Sequence, residues 1–233
     1  RDCLLSRGLG DVYKRQTFLC EYPYEGSIRY NGCELRNAAD NVRSGIISYL
    51  GHDPELFNDS VRNNVLLGDD YDVFEYLRVV CMDKEVEAME QGADTIIGSE
   101  GIRLSGGQAQ RIALARTLCH KKLVLVLDDP FSALDRNTEE QIYKKLKDMA
   151  SDNIVILISH RLYMFPKMDK VIWMDAGMVN VGTHKELMLE CPGYRKMYET
   201  VSVEECRAVE TENEGLAAAK VVENSRRVVD KYE

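Results

Sequence analysis

The sequence has no long apolar run, no excess of basic residues and no paired cysteine motif. Its longest apolar runs, Leu123–Leu127 and Ile154–Ile158, are far shorter than the roughly 18 residues of a membrane-spanning helix. The formal net charge of −9 argues against a nucleic-acid binder. The 7 cysteines include no C-x-x-C pair, so free thiols are expected rather than a zinc site or a disulfide framework. Any membrane role therefore belongs to another segment or chain.

The first residues differ from the rest of the chain. Segment 1–16 is polar, contains two glycines, and shows neither helical nor strand periodicity. Its junction with Thr17 falls where a helix pattern begins abruptly. Our hypothesis is that segment 1–16 is foreign, a cloning or assembly remnant that replaces the true upstream sequence. The alternative is a natural, divergent N-terminus.

The middle of the chain predicts short strands followed by helices. Ser27–Tyr30 alternates like a strand and runs into the turn Asn31-Gly32. A second strand is predicted at Ile46–Leu50, and helices at Val61–Leu67 and Val73–Met89, with Gly68 as a stop between them. We expect a small helical subdomain over about residues 55–118.

The second half predicts alternating strands and helices. The fully apolar runs Leu123–Leu127 and Ile154–Ile158 are typical of parallel strands covered on both faces, and an amphipathic helix at Thr138–Met149 connects them. Val171–Met174 and Met178–Val181 predict a closing hairpin. The charged tail, residues 201–233, is expected to be a peripheral helix or disordered. The pattern indicates an α/β fold, and the length of 233 residues fits one domain.

A glycine pair opens one predicted helix, in the segment Leu104-Ser105-Gly106-Gly107-Gln108. Ser105 and Gln108 have the spacing of a capping box, and the two glycines leave the first turn bare for a phosphate to approach backbone N–H groups. Taken alone, the segment is equally compatible with an ordinary helix cap.

Polar residues follow both buried strands. Asp128 and Asp129 end the first strand, where open α/β sheets place ligands, and two adjacent carboxylates suit Mg²⁺ beside a nucleotide. An Asp-Asp-Pro turn is the alternative. Asp135 follows at a helix start, where a capping role is the simplest interpretation. His160 ends the second strand, and a lone histidine there is more often structural.

The order of these segments resembles the ATP-binding cassette (ABC) ATPases. Leu104–Gln108 resembles their signature motif, the strand ending at Asp128 their Walker B strand, Ser132–Asp135 their D-loop, and His160 their switch histidine. The flanks Glu100–Arg103 and Ala109–Arg116 fit the same pattern. The resemblance covers about residues 17–200. It implies a P-loop NTPase-like sheet with flanking helices and a small helical subdomain.

The resemblance also implies roles, with ATP and Mg²⁺ as cofactors. Asp128 would hold Mg²⁺, Asp129 would polarise the attacking water, and His160 would contact the terminal phosphate. The signature segment (Leu104–Gln108) and Asp135 would contact nucleotide across a dimer interface.

Two residues depart from the family pattern. Most members have Glu at the position of Asp129, which is one methylene shorter and thus a weaker base, since small misplacements are costly. The segment Ile47–Pro54 resembles the Q-loop, but His52 occupies the position of the glutamine that helps hold Mg²⁺ and water. Histidine can donate a hydrogen bond or bind a metal, so His52 remains a catalytic and metal-binding candidate, but it has no amide oxygen.

The phosphate loop of the family is absent from the sequence. No G-x-x-x-x-G-K-[ST] occurs, and Gly8-Leu9-Gly10 with Lys14 does not reproduce it. The aromatic residue that normally stacks on adenine lies further upstream in the family and cannot be placed in this sequence either. We therefore expect this chain on its own to bind ATP poorly.

Further segments resemble the exporter type of ABC protein: Leu56-Phe57, Ser60–Arg62, Asn63–Val65, Ile97–Gly101 and Gly182–Leu187. The resemblance implies a transmembrane domain on the same polypeptide, a location at the cytoplasmic face of the cell membrane, and a second ABC ATPase subunit as partner. Because Asp129 and His52 depart from the pattern, our hypothesis is a heterodimer in which this subunit's Walker side forms the slow site.

Two other functions compete with this hypothesis. The missing phosphate loop favours an inactive fragment or a regulatory dimerisation module. A soluble ABC ATPase of DNA maintenance would carry a long coiled coil before the signature, and residues 53–103 contain no sustained heptads and no room for one.

Overall fold

The computed structural model describes residues 2–5, 25–99, 101–175 and 178–200. The strands are β1 (Asp2–Leu5), β2 (Arg29–Tyr30), β3 (Cys33–Glu34), β4 (Ile47–Leu50), β5 (Asp59–Ser60), β6 (Ile96–Ile97), β7 (Val124–Asp128), β8 (Ile154–Ile158), β9 (Lys170–Asp175) and β10 (Met178–Gly182). The α-helices are α1 (Asp40–Ile46), α2 (Val61–Leu66), α3 (Val73–Val79), α4 (Asp83–Glu87), α5 (Gly106–Cys119), α6 (Arg136–Met149), α7 (His184–Glu190) and α8 (192–200). Short 3₁₀ turns occur at Leu35–Asn37, Gly92–Asp94 and Leu162–Lys167.

A central sheet organises the fold. Its strand order is β10-β9-β1-β8-β7-β4, with every pair parallel except the edge pair β9–β10. The crossover from β7 to β8 runs through α6, as expected for parallel strands. The carboxyl ends of β4, β7 and β8 therefore lie along one edge of the sheet, and this edge carries four of the predicted site residues: His52, Asp128, Asp129 and His160.

One apolar core joins the helical segment to the sheet. The helix α5 packs against α2, α3 and β4, and its side chains Ile112 and Leu114 are fully buried together with Leu77 of α3 and Leu125 of β7. The signature helix is thus fixed against both parts of the fold. The expected division into a helical subdomain near residues 55–118 remains a prediction.

The single helix predicted over Val73–Met89 is wrong. The chain instead forms α3 and α4, separated at Cys81, whose φ of 54° lies in the left-handed region. The Met82 N–H donates to the Leu77 carbonyl (2.9 Å) and the Cys81 N–H to the Arg78 carbonyl (3.3 Å), the two bonds of a Schellman helix ending. This ending turns the Met82 side chain into the core, where it is fully buried.

The other predicted elements are close to those observed. The turn Asn31-Gly32 joins β2 to β3 with positive φ at both residues, and the strand predicted at Ile46–Leu50 begins one residue later because α1 ends at Ile46. The predicted hairpin corresponds to β9 and β10.

The structure differs from the sequence pattern in segment 1–16. Asp2–Leu5 forms β1, a parallel strand between β8 and β9 in the centre of the sheet. Residues 6–16 and the tail 201–233 lie outside the described residues. The foreign origin of the segment remains a hypothesis.

Candidate active site

Three strand ends converge on the candidate site. His52 follows β4, Asp128 ends β7 with Asp129 directly after it, and His160 follows β8. Adjacent parallel strands therefore bring these residues to one edge. The His52 Nδ1 atom lies 4.0 Å from Oδ2 of Asp129. The His160 side chain is exposed at the same edge. This placement agrees with the sequence expectation, while the roles of these side chains remain predictions.

The backbone of Asp129 is held in an uncommon conformation. Its φ of 47° lies in the left-handed region, which costs a non-glycine residue about 1 kcal/mol. Its N–H donates to the Ile158 carbonyl over 2.7 Å, which ties the end of β7 to β8. The Oδ1 atom is buried and accepts no hydrogen bond from the protein. A carboxylate oxygen left in this state can accept a hydrogen bond from a water molecule or from a hydrated cation.

The signature segment begins α5 with the predicted capping box. The Gln108 N–H donates to Ser105 Oγ (3.2 Å), and the Ser105 N–H donates to Gln108 Oε1 (2.9 Å). A Cβ atom on Gly107 would lie 2.7 Å from the Ala133 carbonyl oxygen, whereas one on Gly106 would meet nothing within 4 Å. Gly107 is therefore required for the signature to pack against the Ser132–Asp135 segment, and Gly106 leaves open space at the helix start.

Asp135 caps the helix that follows the Ser132–Asp135 segment. Its Oδ1 accepts the Thr138 N–H over 3.0 Å at the start of α6. The pKa of Asp135 is held below its usual range mainly by the hydrogen bond from the Thr138 backbone N–H, and next by the one from the Thr138 hydroxyl. The side chain is otherwise exposed, and Asp135 follows two residues after Ala133, whose carbonyl oxygen faces Gly107 of the signature.

Comparison with known proteins identifies the family. The family model described as "ABC transporter" matches residues 17–132. The chain belongs to the ABC transporter family. The chain is 34% identical over 182 residues to an ATP-dependent lipid A-core flippase of Alcanivorax borkumensis, covering 76% of this chain and 31% of the flippase. It is also 34% identical over 177 residues to ABC transporter B family member 1 of Dictyostelium discoideum, covering 73% and 19%.

A solved structure supports the exporter type. A bacterial Atm1-family ABC exporter with ATP bound superposes with a TM-score of 0.80 at 28% identity, covering 87% of this chain and 37% of the exporter. The chain is thus a nucleotide-binding domain of the ABC exporter type. It spans about a fifth to a third of the length of the curated relatives described above. Among the described residues, no helix is long and apolar enough to cross a membrane.

A buried ion pair connects the two loops that follow β7 and β8 in this ABC domain. One nitrogen of Arg161, directly after His160, donates to the carbonyl oxygens of Phe131 (3.1 Å), Ser132 (3.4 Å) and Leu134 (3.2 Å). The other lies 3.5 Å from Oε2 of Glu139, whose side chain is fully buried. Burial raises the pKa of Glu139. The neighbouring Tyr163 and Arg161 act in the opposite direction, but the pKa stays above its usual range. Arg161 therefore links the start of the loop after β8 to the segment between β7 and α6.

The sequence expectations missed two residues on the signature helix or beside it. Glu85 of α4 accepts from Gln108 Nε2 (2.8 Å) and lies 2.7 Å from Arg111. Burial raises the pKa of Glu85, but the hydrogen bonds from Gln108 and Arg111 outweigh it and leave the pKa below its usual range. Gln110 contacts Asp129 from the opposite side of α5. Its helical spacing from the buried residues Ala113 and Leu114 is a signal that could have found it.

The residues present fit Mg²⁺ only in part. Within the described part of the chain, no three His, Cys, Asp or Glu side chains cluster closely enough to hold a metal ion. Mg²⁺ in nucleotide sites uses one or two carboxylates together with phosphate oxygens and water, so such a cluster is not required. The buried carboxylates of Asp128 and Asp129 meet that smaller requirement.

Proposed function

We propose that this chain is the ATP-binding and ATP-hydrolysing motor domain of an ABC exporter. The observation that carries the proposal is the buried Asp129 carboxylate, fixed at the carboxyl edge of the sheet with its Oδ1 unpaired and His52 4.0 Å from Oδ2. A carboxylate with this placement can accept a hydrogen bond from water and orient it toward a phosphate. The family assignment supports the nucleotide as the ligand.

In this proposal, each site residue has one role. Asp128 would hold Mg²⁺, which would neutralise charge on the phosphates, and Asp129 would orient the water. His160 donates a hydrogen bond to the terminal phosphate, and His52 contacts the water from the neighbouring strand. The chain's own residues thus bind and orient, and the chemistry is electrostatic stabilisation of the transferred phosphoryl group.

The signature segment serves a second ABC ATPase subunit. Ser105 and Gly106 are exposed, and Gly106 has open space in front of it, so a phosphate carried by a partner can reach the N–H groups of the first turn. Asp135 is exposed near the same surface and would meet the partner as well. Closure of two such domains around ATP would supply the motion for transport.

An apolar surface near the antiparallel strand pair β5–β6 supports docking of a transmembrane domain. Phe57 is 57% exposed, Ile96 43% and Ile102 48%. Ile96 lies in β6, Ile102 donates to its carbonyl oxygen, and Phe57 stands two residues before β5. Exposed apolar side chains grouped in this way are typical of interaction surfaces. We propose that they face the transmembrane domain of the same polypeptide, which places this domain at the cytoplasmic face of the cell membrane.

We further propose a heterodimer in which this subunit forms the slower site. The short side chain of Asp129 and the imidazole of His52 both weaken its Walker side, whereas its signature segment is complete. The signature would then complete the faster site of the partner.

The test is ATP hydrolysis by the full-length polypeptide that contains this chain, in lipid vesicles with Mg²⁺. When this polypeptide is assayed without a different partner subunit, every nucleotide site carries Asp128. Under these conditions we expect hydrolysis by the wild type and a loss of about 100-fold or more in the Asp128→Asn variant, with unchanged folding by circular dichroism. No hydrolysis in the wild type would favour the alternative, a regulatory dimerisation module without activity. Binding of a fluorescent ATP analogue should be much weaker for the chain of residues 1–233 than for the full-length protein.

A further inference from the structure

A buried glutamine connects the signature helix to the end of the Walker B strand. Gln110 of α5 is 4% exposed, and its Nε2 donates to the backbone carbonyl oxygen of Asp129 over 2.9 Å. Its Oε1 accepts from the Ser132 hydroxyl over 3.0 Å. One side chain therefore contacts three parts of the candidate site: the helix that begins at the signature, the Asp129 backbone and the D-loop.

The contacts determine the orientation of the amide. A backbone carbonyl oxygen only accepts hydrogen bonds, so the group facing Asp129 must be the NH₂ of Gln110. The Ser132 hydroxyl then donates to the remaining oxygen. A buried amide with both ends paired is rigid, and loss of either partner leaves an unsatisfied polar group.

Gln110 also stabilises the strained backbone of Asp129. A residue with a φ of 47° keeps that conformation only when its surroundings fix it from several sides. The N–H of Asp129 is fixed by Ile158 (2.7 Å), and its carbonyl oxygen accepts from both Gln110 (2.9 Å) and the Ser132 N–H (3.2 Å). Of these three hydrogen bonds, the one from Gln110 is made by a residue of the signature helix.

We propose that Gln110 is a positioning residue that couples the signature helix to Asp129 within one subunit. This inference rests on the proposed ATP hydrolysis. When a partner's nucleotide engages Ser105 and Gly106, a displacement of α5 moves Gln110 and with it the Asp129 carbonyl oxygen. The carboxylate that orients water at one nucleotide thereby senses occupancy at the other. Loss of Gln110 is felt at both composite sites, because it disturbs the signature helix and Asp129 together.

The test compares Gln110→Glu with the wild type at several pH values in the full-length protein, assayed without a different partner subunit so that every nucleotide site carries Asp129. The glutamate keeps an acceptor for Ser132, but when ionised it has no donor for the Asp129 carbonyl oxygen. When protonated it donates again. We expect kcat for ATP to fall at least about tenfold at pH 8 with little change in KM, since misplacement by 1 Å can cost about 100-fold. The ratio to wild type should recover as the pH is lowered to about 6.

Gln91→Glu is the matched control, because Gln91 is exposed and the substitution changes the charge in the same way. We expect its kcat to stay within about twofold of wild type at every pH. A structural role alone for Gln110 predicts a smaller folded fraction but an unchanged kcat per folded molecule and no recovery at low pH. That result would overturn the proposal.

A second measurement does not depend on activity. Hydrogen exchange of the Asp129 and Ser132 amides should accelerate in Gln110→Ala, while the amides of Val126 and Leu127 stay protected. Unchanged exchange at Asp129 and Ser132 would contradict the positioning role even if hydrolysis fell. If the wild type does not hydrolyse ATP but the exchange changes as expected, the proposed function fails and the physical link through Gln110 stands.

Discussion

The His52 imidazole and the Asp129 carboxylate face each other across two adjacent strand ends, with Nδ1 and Oδ2 4.0 Å apart. This separation is too long for a direct hydrogen bond, but it suits a shared water molecule. His52 is partly exposed and Asp129 is buried, so the pair lies between the protein interior and the surface where a nucleotide would bind. The pair combines the two residues that depart from the family pattern.

Asp129→Glu should increase ATP hydrolysis severalfold in the full-length protein assayed without a different partner subunit, where every site carries this residue. The added methylene extends the carboxylate toward a nucleotide-bound water, and placement of a base within a few tenths of an ångström strongly affects rate. Asp129→Asn, which has almost the same volume, is the matched control and should not increase the rate. Equal rates for Asp129→Glu and wild type would show that side-chain length does not limit this site.

His52→Gln should raise the affinity for Mg²⁺–ATP relative to wild type. Glutamine supplies the amide oxygen that a neutral imidazole lacks, and oxygen is the ligand that Mg²⁺ prefers. The measurement is the Mg²⁺ concentration at half-maximal ATP hydrolysis, which should fall in His52→Gln and stay near the wild-type value in the control His120→Gln. His120 contacts the Val65 carbonyl oxygen and Asp69, away from the site. An unchanged Mg²⁺ dependence would remove His52 from the metal-binding candidates.

Gly107→Ala should destabilise the domain, and Gly106→Ala should not. The new Cβ would lie 2.7 Å from the Ala133 carbonyl oxygen at position 107 but would meet nothing within 4 Å at position 106. Overpacking of this kind costs about 1–3 kcal/mol. Chemical denaturation measures the difference. Equal unfolding free energies for the two variants would argue against close packing of the signature on the D-loop.

Glu139→Gln should become more stable relative to wild type as the pH rises above about 4.5. Burial raises the pKa of Glu139 in the folded protein, so the folded state binds more protons than the unfolded state between the two pKa values. Wild-type stability therefore falls as the pH rises from the unfolded pKa to the folded pKa, and glutamine does not titrate. Unfolding free energies measured from pH 4 to pH 8 test this. The control is Glu140→Gln, because the Glu140 carboxylate is exposed at the surface, with its Oε1 atom 3.3 Å from Nζ of Lys167.

Periodicity and end signals predict much of this fold. The buried strands β7 and β8, the amphipathic helix α6 and the capping box of Ser105 and Gln108 are local patterns, so the sequence contains them directly. The Schellman ending at Cys81 places Met82 in the core, and this tertiary contact is not revealed by the local pattern.

The candidate site is predictable to a similar extent. Adjacent strand ends bring His52, Asp129 and His160 to one edge, as parallel topology requires. Asp129 has a left-handed backbone and accepts a hydrogen bond from Gln110 of α5. Both features depend on how α5 packs beside the end of β7, and this is a tertiary contact. No residue pattern near Asp129 indicates that conformation.

The central claim is that the signature segment of this subunit serves the partner's nucleotide, while its own Walker side is the slower site. The most direct measurement is steady-state ATP hydrolysis by the full-length complex carrying either Ser105→Arg or Asp129→Asn in this subunit. We expect a loss of about tenfold or more for Ser105→Arg, since the arginine blocks the exposed helix start, and a change of less than about twofold for Asp129→Asn. A large loss for Asp129→Asn with normal hydrolysis by Ser105→Arg would contradict it.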